Sequence, residues 1–112
     1  MGRYITTTGT AGSVIRNVNS STLTTYTALV NDRILANTTT AAITITLPAS
    51  GMLDGDTIQI IDAGGYSSTN NITVLRNGQN IQGSANDLTI DLNNSTTTLL
   101  YTSTYGWLVS SV

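Results

Sequence analysis

The feature that most constrains this chain is a set of short segments in which apolar residues alternate with threonine. The clearest is Ile43–Leu47, which reads Ile-Thr-Ile-Thr-Leu. Because successive side chains of a strand point to opposite faces, this pattern predicts a half-buried β-strand with its apolar residues facing a core. Pro48 follows at once and ends the strand, since proline has no N–H to donate to a neighbouring strand.

The same pattern recurs along the chain and predicts an all-β protein. Asn77-Gly78 is a strong signal for a hairpin turn, because both residues tolerate the positive φ that such a turn requires. Strands separated by turns at intervals of about 8–12 residues are typical of sandwiches and barrels. We therefore predict a single antiparallel β-sandwich or barrel-like domain. The further predicted strands are Thr57–Asp62 with Ile58 and Ile60 inward, Ile72–Arg76, Leu88–Leu92 with Leu88, Ile90 and Leu92 inward, Thr97–Thr102 and Gly106–Ser110.

The first 25 residues differ from the remainder in having apolar residues that are thinly spread among Thr, Ser, Gly and Asn. We predict an extended N-terminal arm over residues 1–25, with one or two short strands, and the β-sandwich domain over residues 26–112. Such an arm seldom folds alone, so it is expected to dock on a neighbouring subunit or a larger shell. The alternative is a terminus without a fixed partner. The candidate docking residues are Arg3, Tyr4, Ile5, Val14, Ile15 and Arg16.

Composition narrows the classes of function. Charged residues make up 9% of the chain and the net charge is -2, whereas an average protein carries about 25% charged residues. A nucleic-acid-binding protein needs a dense basic surface, which this chain cannot supply. No apolar run approaches the roughly 20 residues of a membrane span. A surface with so little charge favours association between sheet edges, which suggests a subunit of an assembly.

The residues available for catalysis are few. The chain contains no His, Cys, Lys or Glu, so a Ser or Thr nucleophile would have no ordinary base beside it. Asp54 and Asp56, which flank Gly55, could form a turn, hold a cation, or act as the carboxylate pair of a glycosidase. The turn is the favoured interpretation, because Asp commonly caps turns. We expect no enzymatic activity, no metal and no cofactor.

Two features could serve recognition. Tyr66, in the loop of residues 63–71, and the turn residues Arg76, Asn77 and Gly78 are candidates for exposed recognition loops. For the turn, an ordinary hairpin tip with an exposed cation is the favoured interpretation. Trp107 could form a sugar-stacking platform with neighbouring tyrosines. A tryptophan on a closing strand more often belongs to a core or a subunit interface, and that is the favoured interpretation.

Taken in order, several segments resemble a small β-module of tailed-bacteriophage virion proteins, found in tail fibres and in head or collar fibres. The resemblance covers about two-thirds of the chain with near-regular spacing. The matching segments are Asn31–Ile34, Ile43–Ser50, Gly55–Ile58, Ile61–Gly65, Ile72–Gly78, Ile81–Gly83, Asp87–Asp91, Leu100-Tyr101 and Gly106-Trp107.

The resemblance implies a homotrimeric role in assembly and carries over no catalytic residue. In fibres the module is part of a much longer chain, whereas here it fills most of the sequence, so we expect a capsid decoration (cement) protein on the outer surface of a phage head. The expected partners are the major capsid protein or other virion proteins. A tail-fibre or tail-tip component that contacts host-surface glycans is the alternative. Either protein would be made in the bacterial cytoplasm and reside on the virion.

Overall fold

A computed structural model describes residues 13–111 of the chain. This part of the chain folds into nine β-strands and contains no helix, which confirms the all-β prediction. The strands are β1 (Val14–Asn19), β2 (Thr25–Thr27), β3 (Asp32–Asn37), β4 (Ile43–Thr46), β5 (Thr57–Asp62), β6 (Ile72–Leu75), β7 (Leu88–Ile90), β8 (Thr96–Thr102) and β9 (Gly106–Ser111).

The strands form two sheets that share one core. The larger sheet has the order β1-β3-β5-β8-β9, and the smaller has the order β2-β4-β6-β7. Up to β6 the chain alternates between the sheets, so it winds as a flattened coil. Val14 pairs with Asp32, 18 positions on, and Thr25 pairs with Thr44, 19 positions on.

The antiparallel arrangement predicted from the sequence is wrong for the first six strands. β1, β3 and β5 run parallel in the larger sheet, and β2, β4 and β6 run parallel in the smaller one. Each same-sheet pair is joined through a strand of the facing sheet, and a crossover of this kind returns the chain in the same direction. Antiparallel pairing begins with β7, β8 and β9.

The core lies between the two sheets and is built from the alternating positions. The inward side chains predicted for β4 and β5 are buried, as expected. Trp107 is fully buried, and its ring meets that of Tyr101 edge-on at a centroid distance of 5.2 Å. The buried apolar residues are Val18, Ala28, Ile34, Ala36, Ile43, Ile45, Leu47, Ile58, Ile60, Ile72, Val74, Ile81, Ile90, Leu99, Tyr101 and Trp107.

The predicted inward position of Leu92 is wrong. β7 ends at Ile90, and Leu92 is 62% exposed in the connection to β8. Further along the same connection, Asn94 adopts a φ of 60° just before β8 begins. The Asn77-Gly78 turn has the expected positive φ values of 50° and 89°. The strand that pairs with β6 after this turn is β7, which begins 10 residues after Gly78, and not the segment that follows the turn directly.

The stretch predicted as an arm contributes to both sheets. β1 is an edge strand of the larger sheet, and its Val18 is buried in the common core. Thr25, the last residue assigned to the arm, opens β2 in the smaller sheet. Residues 1–12 lie outside the described part of the chain.

Candidate functional site

The predicted docking residues fall into two groups. Arg3, Tyr4 and Ile5 lie outside the described residues. Val14, Ile15 and Arg16 form the beginning of β1, where Ile15 is 65% exposed and Val14 is also exposed. Large apolar side chains at an edge strand are available for contact with another molecule.

Arg16 is tied to the fold through a buried carboxylate. Its Nε donates to Oδ1 of Asp32 at 3.2 Å. The other oxygen of Asp32 accepts hydrogen bonds from the Tyr26 hydroxyl at 2.7 Å and from the Leu29 N–H at 2.9 Å. Asp32 therefore links β1, β2 and the turn before β3 to one another.

The same cluster changes the acidity of the tyrosine. Burial, the hydrogen bond to Asp32 and the charge of that carboxylate raise the pKa of Tyr26 from 10.0 to about 12, while the Arg16 guanidinium acts in the opposite direction. The hydroxyl therefore stays protonated and keeps donating to Asp32 over the whole physiological range.

A second buried carboxylate fixes the loop that carries Tyr66. Asp62 accepts a hydrogen bond from the Thr38 hydroxyl at 2.6 Å and others from the backbone N–H groups of Gly65, Ser67 and Asn94 at 3.0–3.1 Å. Burial raises the pKa of this carboxyl, but the hydrogen bonds outweigh burial and hold the pKa below its ordinary value of 3.8. Asp62 thus acts as an ionised anchor for two loops.

Sequence reasoning missed both carboxylate anchors. The signal that could have found Asp62 is an acidic residue at the end of a buried strand, directly before Ala63-Gly64-Gly65. Such a residue can bond the free N–H groups of the following turn. For Asp32 the corresponding signal is weaker, because its partners Arg16 and Tyr26 come from two earlier strands.

Tyr66 projects from a well-fixed loop. Its N–H donates to the Thr38 hydroxyl at 3.0 Å, and its carbonyl accepts from the N–H groups of Thr69 and Asn70. Its side chain is 52% exposed. The backbone is therefore held while the ring remains accessible, which is consistent with the predicted exposure of this loop.

Arg76, Asn77 and Gly78 form a turn at the other end of β6. The Asn77 amide donates to the Leu47 carbonyl at 2.9 Å, and Arg76 donates from its N–H to Asp87 and from its guanidinium to the Gln79 carbonyl. Tyr66 precedes β6 and this turn follows it, so the structure places the two candidate recognition loops at opposite ends of one strand. They form two separate features.

Asp56 bonds the backbone of its own turn, as the turn interpretation predicts, whereas Asp54 bonds the separate turn between β8 and β9. Asp54 accepts the Ser103 N–H at 2.8 Å, and Asp56 accepts the Leu53 N–H at 2.8 Å. Gly55, between them, has a φ of 95°. Over residues 13–111, no group of three or more acidic side chains is placed to hold a metal ion.

Trp107 is excluded as a sugar-stacking platform because its indole is fully buried, which confirms the core interpretation. Tyr105, on the adjacent turn, is exposed.

Two of the grooves on the described structure have volumes of about 100 and 190 Å³. Ligand pockets for drug-sized molecules are larger, at about 300–1,000 Å³. One groove lies along Leu88–Leu92 and includes Ser95 and Thr97, and the other lies on the outer face of β1 and β3 beside Asn17 and Leu35.

Comparison with known proteins does not assign this chain to a family. A scan against protein-family models gave no match, and a search of curated proteins gave no significant relative. Within residues 13–111, no helix has the length and apolar character required to cross a bilayer.

Proposed function

We propose that this chain is a structural protein of a phage virion, a homotrimeric capsid decoration protein that binds the outer surface of the head. The observation that carries the proposal is that β1, an edge strand of the larger sheet, begins with two exposed apolar residues, Val14 and Ile15. A rigid body whose buried carboxylates serve its own loops, and whose surface is poor in charge, suits lasting contact with other protein subunits. The proposed partners are other copies of the chain and the major capsid protein or another virion protein.

Cryo-electron microscopy of the parent particle tests the proposed location. We expect density for this fold at repeated positions on the head, in hundreds of copies per particle. Density confined to the tail, in a few tens of copies or fewer, would contradict the decoration role and favour the second candidate.

The second candidate is a tail-fibre or tail-tip component that contacts host-surface glycans. It is favoured by Tyr66, whose exposed ring stands on a loop fixed by Asp62 and Thr38. An aromatic ring on a fixed backbone can stack on a sugar with little loss of conformational entropy.

A glycan array separates the two candidates. Saturable binding to host polysaccharide that Tyr66→Ala abolishes would support the second. Tyr105→Ala is the matched control, because Tyr105 is also an exposed tyrosine on a turn.

Catalysis is not part of either proposal. The test is a sugar-release assay on the wild-type protein and on Asp56→Asn. We expect no release of sugar from either protein. Sugar release by the wild type that is lost in Asp56→Asn would indicate a depolymerase.

A further inference from the structure

The turn after β6 contains the one Asn-Gly pair of the chain, Asn77-Gly78. Both residues are exposed, with φ values of 50° and 89°, and the Gln79 N–H closes the turn on the Arg76 carbonyl at 3.2 Å. A pair of this kind is chemically labile. Because glycine has no side chain to shield its backbone nitrogen, that nitrogen can attack the side-chain carbonyl carbon of the preceding asparagine.

The reaction is deamidation, and its one co-reactant is water. The backbone nitrogen of Gly78 forms a bond to Cγ of Asn77, the Cγ–Nδ2 bond breaks, and the proton lost by Gly78 ends on the departing nitrogen, which leaves as ammonia. The resulting five-membered succinimide then takes up one water molecule. Opening of the ring at one carbonyl gives aspartate, and opening at the other gives isoaspartate, in which the main chain runs through Cβ and Cγ.

In the folded protein the nitrogen that would leave is held by the end of β4. Nδ2 of Asn77 donates to the Leu47 carbonyl at 2.9 Å. The Leu47 N–H donates to the Leu75 carbonyl at 2.9 Å, which extends the parallel ladder of β4 and β6 beyond Thr46. In a regular parallel ladder the next donor would be the backbone N–H of Asn77. The backbone turns at this residue, and its side-chain amide supplies the bond to Leu47.

Further hydrogen bonds keep the turn closed. The Arg76 N–H donates to Oδ1 of Asp87 at 2.9 Å, and the Arg76 guanidinium donates to the Gln79 carbonyl at 3.1 Å. Leu47 is completely buried, so its carbonyl depends on a protein donor while the turn is closed. Since loss of ammonia necessarily breaks the bond from Asn77 to Leu47, the closed turn opposes the reaction.

The product cannot restore the lost bond. A carboxylate at position 77 has acceptor oxygens and no donor, so it repels the Leu47 carbonyl, which is itself an acceptor. The carbonyl then lacks its partner, and this loss destabilises the closed turn. Each conversion also adds a negative charge to a turn that is already bonded to the carboxylate of Asp87.

We propose that Asn77 is a deamidation site that acts as a one-way latch. While the turn is closed on Leu47 the amide is preserved, and once an open turn has reacted it cannot close again with the same hydrogen bond. The proposal goes beyond the function proposed above and does not depend on it. It gives the candidate recognition turn of residues 76–78 a lifetime that is set by local opening.

Peptide mapping by mass spectrometry tests the protection of Asn77. The full chain is aged at mildly alkaline pH, either folded or unfolded in urea, and the change in mass from amide to acid is followed at each asparagine. We expect Asn77 to be the main site in urea, and its conversion to be at least about tenfold slower in the folded protein. Gly78→Ala should suppress the conversion in urea, because its methyl group crowds the attacking nitrogen.

Two results of this experiment would overturn the proposal. Equal rates of conversion at Asn77 in the folded and the unfolded chain would show that the closed turn gives no protection. A different main site in urea, or conversion at Asn77 that Gly78→Ala leaves unchanged, would show that the Asn-Gly pair is not the labile point.

A pair of substitutions tests the latch itself. Asn77→Asp introduces the product side chain, and Asn80→Asp makes the same change at another exposed position of the same connection. We expect Asn77→Asp to lower the melting temperature at neutral pH by about 4 °C or more, and Asn80→Asp to lower it by less than half as much. Far-UV circular dichroism should show that both variants fold. Equal shifts would mean that the added charge alone is responsible, and would overturn the latch.

Discussion

At the scale of single residues, two buried carboxylates organise the loops of this protein. Asp32 and Asp62 are almost completely buried, and each accepts several hydrogen bonds from segments far apart in the sequence. A buried charge is tolerated when hydrogen bonds replace its hydration, and the loss of these hydrogen bonds destabilises the fold.

Replacing Asp62 by asparagine should destabilise the fold. The amide keeps one accepting oxygen but directs an NH₂ group at N–H donors, so we expect a loss of about 2–4 kcal/mol in the free energy of unfolding. Denaturation by urea measures this loss. Asp91→Asn, at an exposed position, is the control and should change stability by less than about 0.5 kcal/mol. Equal effects of the two substitutions would contradict the anchoring role of Asp62.

The same carboxylate should make stability depend on acid. Because the folded-state pKa of Asp62 lies below the ordinary value of 3.8, its contribution to stability is present above that value and is lost as the pH falls through the folded pKa. Thermal melting between pH 7 and pH 2 should therefore show a drop in melting temperature below about pH 4. In Asp62→Asn the part of the drop due to this group should disappear, and an unchanged acid profile would argue against it.

Tyr26 should give the opposite dependence at high pH. Its pKa is raised to about 12 in the folded protein from 10.0, so its contribution to stability is complete below pH 10 and is lost as the pH rises towards 12. Melting temperatures measured from pH 8 to pH 12 should fall more steeply for the wild type than for Tyr26→Phe. Parallel curves would show that the hydroxyl is not coupled to Asp32.

At the scale of elements, the space around a glycine separates turns that need it only for its backbone conformation from turns that also need its missing side chain. A Cβ on Gly78 would meet nothing within 4 Å, whereas a Cβ on Gly106 would lie 2.5 Å from the Asn80 carbonyl oxygen. Both residues have a positive φ, of 89° and 75°. The contact at Gly106 is where the loop after β6 closes on the start of β9.

These two glycines should therefore respond differently to alanine. Gly78→Ala should cost about 1 kcal/mol from the left-handed backbone alone. Gly106→Ala should cost about 2 kcal/mol more, because the new methyl group displaces the loop that covers β9. Guanidinium unfolding of the two variants gives the comparison, and similar midpoints would show that the loop moves away without cost.

At the scale of the whole molecule, both sheets contribute to one core, so the described part should unfold as a unit. Ile60 lies in β5, which pairs with β3 on one side and β8 on the other, and it is buried. Ile60→Ala should remove about 2–5 kcal/mol from the free energy of unfolding.

Cooperativity can be checked on the same variant. Trp107 fluorescence reports the β9 side of the larger sheet, and far-UV circular dichroism reports all strands. The two transitions should coincide in both the wild type and Ile60→Ala. Separate transitions would mean that the parallel coil and the antiparallel strands fold independently.

The sequence by itself determined that the fold is all-β, where several of the strands lie and which of their faces are buried. Alternation in Ile43–Leu47 and in Thr57–Asp62 reports a buried face directly, because side chains of a strand alternate between two environments. The same rule failed at Leu92, where the strand had already ended. Among the candidate site residues, the exposure of Ile15 and Tyr66 could be anticipated from their positions in segments rich in Ser, Thr, Gly and Asn, and not from their side chains, which on their own favour burial.

The tertiary structure alone decided the direction and the partners of the strands. An alternating segment carries the same pattern whether its neighbour runs parallel or antiparallel, so nothing in Asp32–Asn37 reveals that both its partners, β1 and β5, run in its own direction. The loops decide the strand direction, because up to β6 they lead the chain through a strand of the facing sheet before it returns to the first sheet. For the same reason the cluster of Arg16, Tyr26 and Asp32 became visible only when strands distant in sequence were brought together.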